Sequence, residues 1–250
     1  MSGHSKWSSI KRKKGATDAK RGQLFSKLAR AIIVAAREGG PDPAANLALQ
    51  NAIEKARAVS MPKDNIDRAI ARGAGASADD AAYETVAYEG YGPAGIAVYV
   101  EAVTDNRNRT AADVRHIFSK ADGSLGEAGS VAWLFERRAV LLVDGGADED
   151  ELTLAAAEGG ADDVEREGDS WRVTAAPEAL SSVREALEAA RLTIESADLT
   201  MVPKTTVELE DEAAAKKVLR LMDALEENDD VQDVYANFDI PDRVLEVVAG

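Results

Sequence analysis

Apolar residues recur every three or four positions through the first third of the chain, then switch to every second position. Leu24, Phe25, Leu28, Ala29, Ile32 and Ala36 fall on one face of a helix. That helix starts at Thr17 or Asp18, either of which can accept a hydrogen bond from the first turn, and stops at Gly39-Gly40-Pro41. A second helix is predicted with Asp42 as its cap and Pro43 at its first position, carrying the stripe Leu49, Ala52, Ile53 and Ala56. Met61-Pro62 breaks it and opens a third, with Ile66, Ala69 and Ile70 inside and Gly73 and Gly75 at its end. Three short helices with narrow apolar stripes must pack on one another, which predicts a small bundle. The residues before Thr17 have no helical period and few apolar side chains, and are expected to form a flexible arm with a reach of about 50 Å.

From residue 83 the period is two. Thr85–Glu89 and Ile96–Thr104 are predicted strands, with Val98 and Val100 on one face, joined by a hairpin through Gly90-Tyr91-Gly92-Pro93-Ala94-Gly95. Those glycines match the dinucleotide-binding spacing, but a Val-rich strand follows where that motif requires a helix. A helix is expected from Thr110, with Asp113 completing a capping box. Val131–Phe135 has the composition of a strand, with Trp133 packed. From Ala139 the order is strand, helix, strand, strand, helix, strand, ending near Val202, which is the split ferredoxin-like order. A strand over Thr205–Leu209, a long helix through Val218, Leu221, Met222 and Leu225, and a strand over Val231–Phe238 follow.

The fold class expected is α+β in three domains, one small helical bundle and two α+β (ferredoxin-like) domains. The boundaries expected are a basic arm at 1–16, a three-helix domain at 17–78, a discontinuous middle domain at 79–137 plus 205–250, and an inserted domain at 138–204.

Charge changes this picture more than composition does. The net charge is −15, yet residues 1–72 carry 15 Lys/Arg against 6 Asp/Glu, and residues 73–250 carry 15 against 39. A segment of +9 therefore sits on a body of −24. On charge alone this fits a polyanion-binding segment and equally a solubilising tail. The basic positions at the start are Lys6, Lys11, Arg12, Lys13, Lys14, Lys20, Arg21 and Lys27, with Trp7 available to stack on a base. Lys63, Arg68 and Arg72 lie on the third helix, and Arg107 and Arg109 in a polar loop before the next helix, where an anion can bind. These fourteen residues are the candidate nucleic-acid contacts.

Little suggests catalysis. The chain has no cysteine and only His4 and His116, so thiolate chemistry is absent and zinc chemistry poorly supplied. No nucleophile elbow or paired-histidine metal helix occurs, and the acidic runs lack calcium-loop spacing. The glycines at 123, 126 and 129 lack the Gly-Lys-Ser/Thr ending of a phosphate loop. No catalytic, cofactor or metal residue is assigned, and no small-molecule substrate is expected. No apolar run approaches the ~20 residues of a membrane span, so a soluble, cytoplasmic protein is expected.

The words Gly3-His4-Ser5-Lys6-Trp7 with Ile10-Lys11-Arg12-Lys13-Lys14, Met61-Pro62-Lys63-Asp64-Asn65-Ile66, Tyr88-Glu89-Gly90-Tyr91-Gly92-Pro93, Thr104–Thr110, Gly126–Phe135 and Met201-Val202-Pro203-Lys204-Thr205 closely resemble the YebC/PmpR family across nearly the whole chain. That resemblance implies the three-domain shape with an interrupted middle domain. It also implies one of two functions, a DNA-binding transcriptional regulator or, as in the mitochondrial branch, an RNA- or ribosome-associated translational activator. An acidic protein-interaction scaffold is the remaining alternative.

Overall fold

The computed structural model describes residues 18–75 and 83–249. The predicted arm therefore lies outside the described residues. Helices α1 (Asp18–Gly39), α2 (Leu47–Ala58) and α3 (Lys63–Gly75) close on a core of Ile32, Ile33, Ala36, Leu49, Ile53, Ala56, Met61 and Ile66. Gly73 makes the closest approach, because a Cβ there would lie 2.5 Å from the Ile33 carbonyl on α1.

The cap of α2 is Asn46, and the Asp42-Pro43 start is corrected. Asn46 is buried. Its side-chain oxygen accepts from the Leu49 amide at 3.1 Å, and its amide group donates to the carbonyls of Ala35 and Gly40, each at 2.8 Å. One side chain thus satisfies the new helix and fastens it to the old one. Asp42 is left to hold a local turn through the Ala44 amide.

A four-stranded antiparallel sheet follows, in the order β3-β1-β2-β9. It is made of β1 (Glu84–Tyr91), β2 (Ala97–Thr104), β3 (Ser124–Leu125) and β9 (Val231–Ala236). Gly92–Ile96 forms the β1–β2 hairpin connection, while Gly90 and Tyr91, expected in the turn, are the last paired residues of β1. Helices α4 (Arg107–Lys120) and α7 (Glu212–Glu226) bury Val114 and Phe118, and Val218, Leu221, Met222 and Leu225, in one core with Val98, Val100 and Val234. The start of α4 is corrected: Asn106 caps it by accepting from the Arg109 amide, and Thr110 turns inward, fully buried. Much of the expected basic loop is therefore the first turn of the helix.

A second antiparallel sheet has the order β5-β6-β4-β7, from β4 (Phe135–Asp144), β5 (Ala161–Glu167), β6 (Ser170–Ala175) and β7 (Ile194–Pro203). With α5 (Glu149–Gly159) and α6 (Leu180–Ala189) this is the strand and helix order read from the sequence. Its core includes Leu141, Val143, Leu152, Trp171, Val173, Val183 and Leu187. A short parallel pair, β8 (Val207–Glu208) with β10 (Phe238–Asp239), and α8 (Asp242–Ala249) complete the chain. Ala97, Val131, Phe135 and Tyr235 form a small fourth cluster. The molecule is α+β, with separate apolar cores.

The strand expected at Val131–Phe135 is a single 3-10 turn, Ala132–Leu134, with strand structure beginning at Phe135. Trp133 is not packed: it is 64% exposed.

Candidate nucleic-acid interface

Helix α3 turns Ile66, Ala69 and Gly73 toward α1 and leaves Lys63, Arg68 and Arg72 exposed. Arg68 and Arg72 stand one turn apart. Arg68 is steadied from its own helix by the Asp64 carbonyl, 3.0 Å from Nε, and by the Asn65 side chain. Arg21 on α1 is also exposed, its guanidinium 5.5 Å from the centre of the Phe25 ring. These four cations point outward from the helical bundle. Lys6, Trp7, Lys11, Arg12, Lys13 and Lys14 lie outside the described residues, as does the side chain of Lys20.

Three other candidates are engaged within the molecule. Lys27 is 8% exposed and donates to the Glu226 carbonyl at the end of α7. Burial lowers its ammonium pKa to about 8, against the opposing pull of Asp229 and Glu226. Arg109 donates to Asp105 at 2.9 Å and to Asp230 at 2.7 Å. Arg107 lies 3.6 Å from Glu84, both largely exposed.

Asp230, which no sequence motif flagged, gathers this arrangement. It is 5% exposed, in the turn between α7 and β9. Its carboxylate accepts from Arg30 of α1 at 2.9 Å, Arg109 of α4 at 2.7 Å, the Thr110 hydroxyl at 2.7 Å and the Thr104 hydroxyl at 3.4 Å. Burial pushes this carboxyl up, but the hydrogen bonds from Arg109 and Thr110 and the charges of Arg109 and Arg30 outweigh it, leaving it below its ordinary value. The one available signal was the acidic run at 226–230 set against a basic first helix; nothing in the sequence pairs the two.

Known proteins compare as follows. A family model described as the TACO1/YebC protein N-terminal domain matches residues 5–76, and one described as the TACO1/YebC second and third domain matches residues 83–238. The chain belongs to the TACO1/YebC family. A protein of Rubrobacter xylanophilus named as a probable transcriptional regulatory protein is 61% identical over 251 residues, covering all of both chains. One of Halothermothrix orenii with the same name is 53% identical over 251 residues, covering 99% of each. The crystal structure of a conserved hypothetical protein from Aquifex aeolicus has a TM-score of 0.80 at 50% identity, over 90% of this chain and 92% of that one.

Two of the words that carried the resemblance meet in space in this TACO1/YebC chain. Glu89, on β1, is 7% exposed and accepts from the amides of Gly129 at 2.6 Å, Val131 at 2.7 Å and Ala132 at 2.7 Å. Burial raises this carboxyl and the three amides more than offset it, so its pKa is lowered. Two of the amides that a strand over Val131–Phe135 would use point instead at this carboxylate, and Ala132–Leu134 forms a turn. The turn exposes Trp133 and Tyr91, whose indole N–H and hydroxyl both donate to the Ser130 carbonyl at 3.1 Å. Among the described residues no cluster of His, Cys, Asp and Glu is able to hold a metal ion, and no helix is long and apolar enough to cross a membrane.

Proposed function

We propose that this chain is a non-enzymatic, DNA-binding transcriptional regulator that contacts phosphates through its basic N-terminal segment and helical bundle. The observation that carries the reading is the division of charge, +9 over residues 1–72 and −24 over the rest. A polyanion is attracted to the basic segment and repelled by the acidic remainder. The outward Arg21, Lys63, Arg68 and Arg72 extend that end onto folded structure, and relatives named as probable transcriptional regulatory proteins support the regulatory role. Arg107, Arg109 and Lys27 are left out of the working surface because of their internal partners. The basic arm at 1–16 and domains at 17–78, 79–137 plus 205–250, and 138–204 are the organisation we assign, supported by the separate apolar cores.

Deleting residues 1–14 tests this. Five Lys/Arg are lost, so the slope of log affinity against log salt on duplex DNA is expected to flatten by about 4. Unchanged affinity and slope would overturn it. A second reading, a ribosome-associated translation factor, draws on the TACO1 name shared by both family models. Crosslinking in cells followed by sequencing of DNA and RNA separates the two: recovery of ribosomal RNA without DNA selects the second.

A further inference from the structure

Gln23, Lys27 and Arg30 are spaced four and three residues apart, so they form one column along α1. The end of α7 and the turn after it cover that column. Gln23 donates to the Glu227 carbonyl at 2.6 Å and the Asp229 carboxylate at 2.8 Å, Lys27 to the Glu226 carbonyl, and Arg30 to the Asp230 carboxylate at 2.9 Å. The turn thus offers α1 a row of negatively polarised oxygens, which is what a sugar–phosphate strand offers.

Two features distinguish this contact from a packed core. None of the four apolar clusters contains buried residues from both 18–75 and 84–249. Beside Tyr83, which is partly buried against the bundle core and whose carbonyl accepts from Arg37, this contact includes the ion pairs Lys55 to Asp233 at 3.6 Å and Glu54 to Arg184 at 3.0 Å. Interfaces of this polar kind permit relative movement of the parts they join. Separation also leaves no buried charge without a partner. Asp230 keeps Arg109 and Thr110 when Arg30 departs, and Lys27 leaves an environment that disfavours its charge.

We infer that the Gln23–Lys27–Arg30 face of α1 is a second, concealed site for a nucleic-acid backbone, covered by the Glu226–Asp230 turn as an internal substitute for phosphate, and uncovered when a strand displaces the turn. This rests on the nucleic-acid-binding reading above. The site adds two cations to the binding surface and gives the acidic body a role in limiting how readily polyanions are held.

The test uses the full chain with Gln23→Cys and Asp229→Cys, which are then its only thiols. A short bis-maleimide joins the two, and a control has each thiol capped singly. Both forms are titrated with labelled duplex DNA and with single-stranded RNA of the same sequence across a range of salt. The joined form is expected to bind still, through the arm, with a salt slope lower by about 2, one phosphate contact each for Lys27 and Arg30. Saturating oligonucleotide is expected to slow the joining reaction several-fold in the uncapped protein. Equal slopes, or a joining rate that oligonucleotide leaves unchanged, would overturn the concealed site while leaving the arm's role standing. Absence of binding by both forms at low salt would overturn the two readings together.

Discussion

Asp230 makes more long-range polar contacts than its place in a short turn suggests. Four donors from three elements, α1, β2 and α4, converge on its two oxygens. Removing a carboxylate from such a site leaves guanidinium and hydroxyl groups turned toward a space they cannot satisfy. Asp230→Ala is expected to cost about 3 kcal/mol of stability, read by urea denaturation. The pH dependence has a definite sign. Because the folded carboxyl is held below its ordinary value, its contribution is fully present above about pH 4 and is lost as pH falls through the lower folded value. The stability gap between the native chain and Asp230→Asn is therefore expected to be constant from pH 7 to about pH 5 and to close in stronger acid. A gap that stays constant down to pH 2 would mean that the carboxylate is not the source of the stability.

At the scale of elements, α1 and α3 are held close by Gly73. A methyl group there would meet backbone, the Ile33 carbonyl at 2.5 Å and its carbon at 3.2 Å, as well as the Ala36 methyl at 2.8 Å. The helices would have to separate. Gly73→Ala is expected to destabilise by about 1–3 kcal/mol in thermal or chemical unfolding, although alanine is the better helix former. What the sequence revealed at this scale depended on range. Val98 and Val100 alternate within one strand, and Ile66 and Ala69 recur within one helix, so both faces were legible locally. The starts of α2 and α4 differ from those the sequence predicts because Asp42-Pro43 and Thr110 have the composition of caps. The capping is done by Asn46 and Asn106, and Asn46 is fixed partly by carbonyls of the preceding helix and the turn that follows it. Val131–Phe135 has strand composition, but Glu89, more than forty positions away, takes its amides. The candidate site divides in the same way. Positive charge was visible residue by residue, whereas the commitment of Lys27 and Arg109 to partners roughly 100 to 200 positions distant was not.

For the molecule as a whole, the question is what holds a basic bundle on an acidic body. The net charges attract, but long-range attraction between exposed groups is screened at ordinary salt. Individual contacts therefore decide. Glu54–Arg184 is partly exposed, with side chains at 32% and 27%, and Lys55–Asp233 more so. Arg30–Asp230 is enclosed, at 15% and 7%. A double-mutant cycle across each pair, read as stability of the full chain, separates the two cases. The Glu54/Arg184 cycle is expected to give a coupling of about 0.2–1 kcal/mol that shrinks in high salt. The Arg30/Asp230 cycle is expected to give about 1.5–3 kcal/mol with little salt dependence, since a charged hydrogen bond shielded from solvent is not screened. Equal couplings would place the attachment in the diffuse field of the two charged halves. Unequal couplings in this order would place it at the junction of α1 with the α7–β9 turn, where a competing phosphate would have to act.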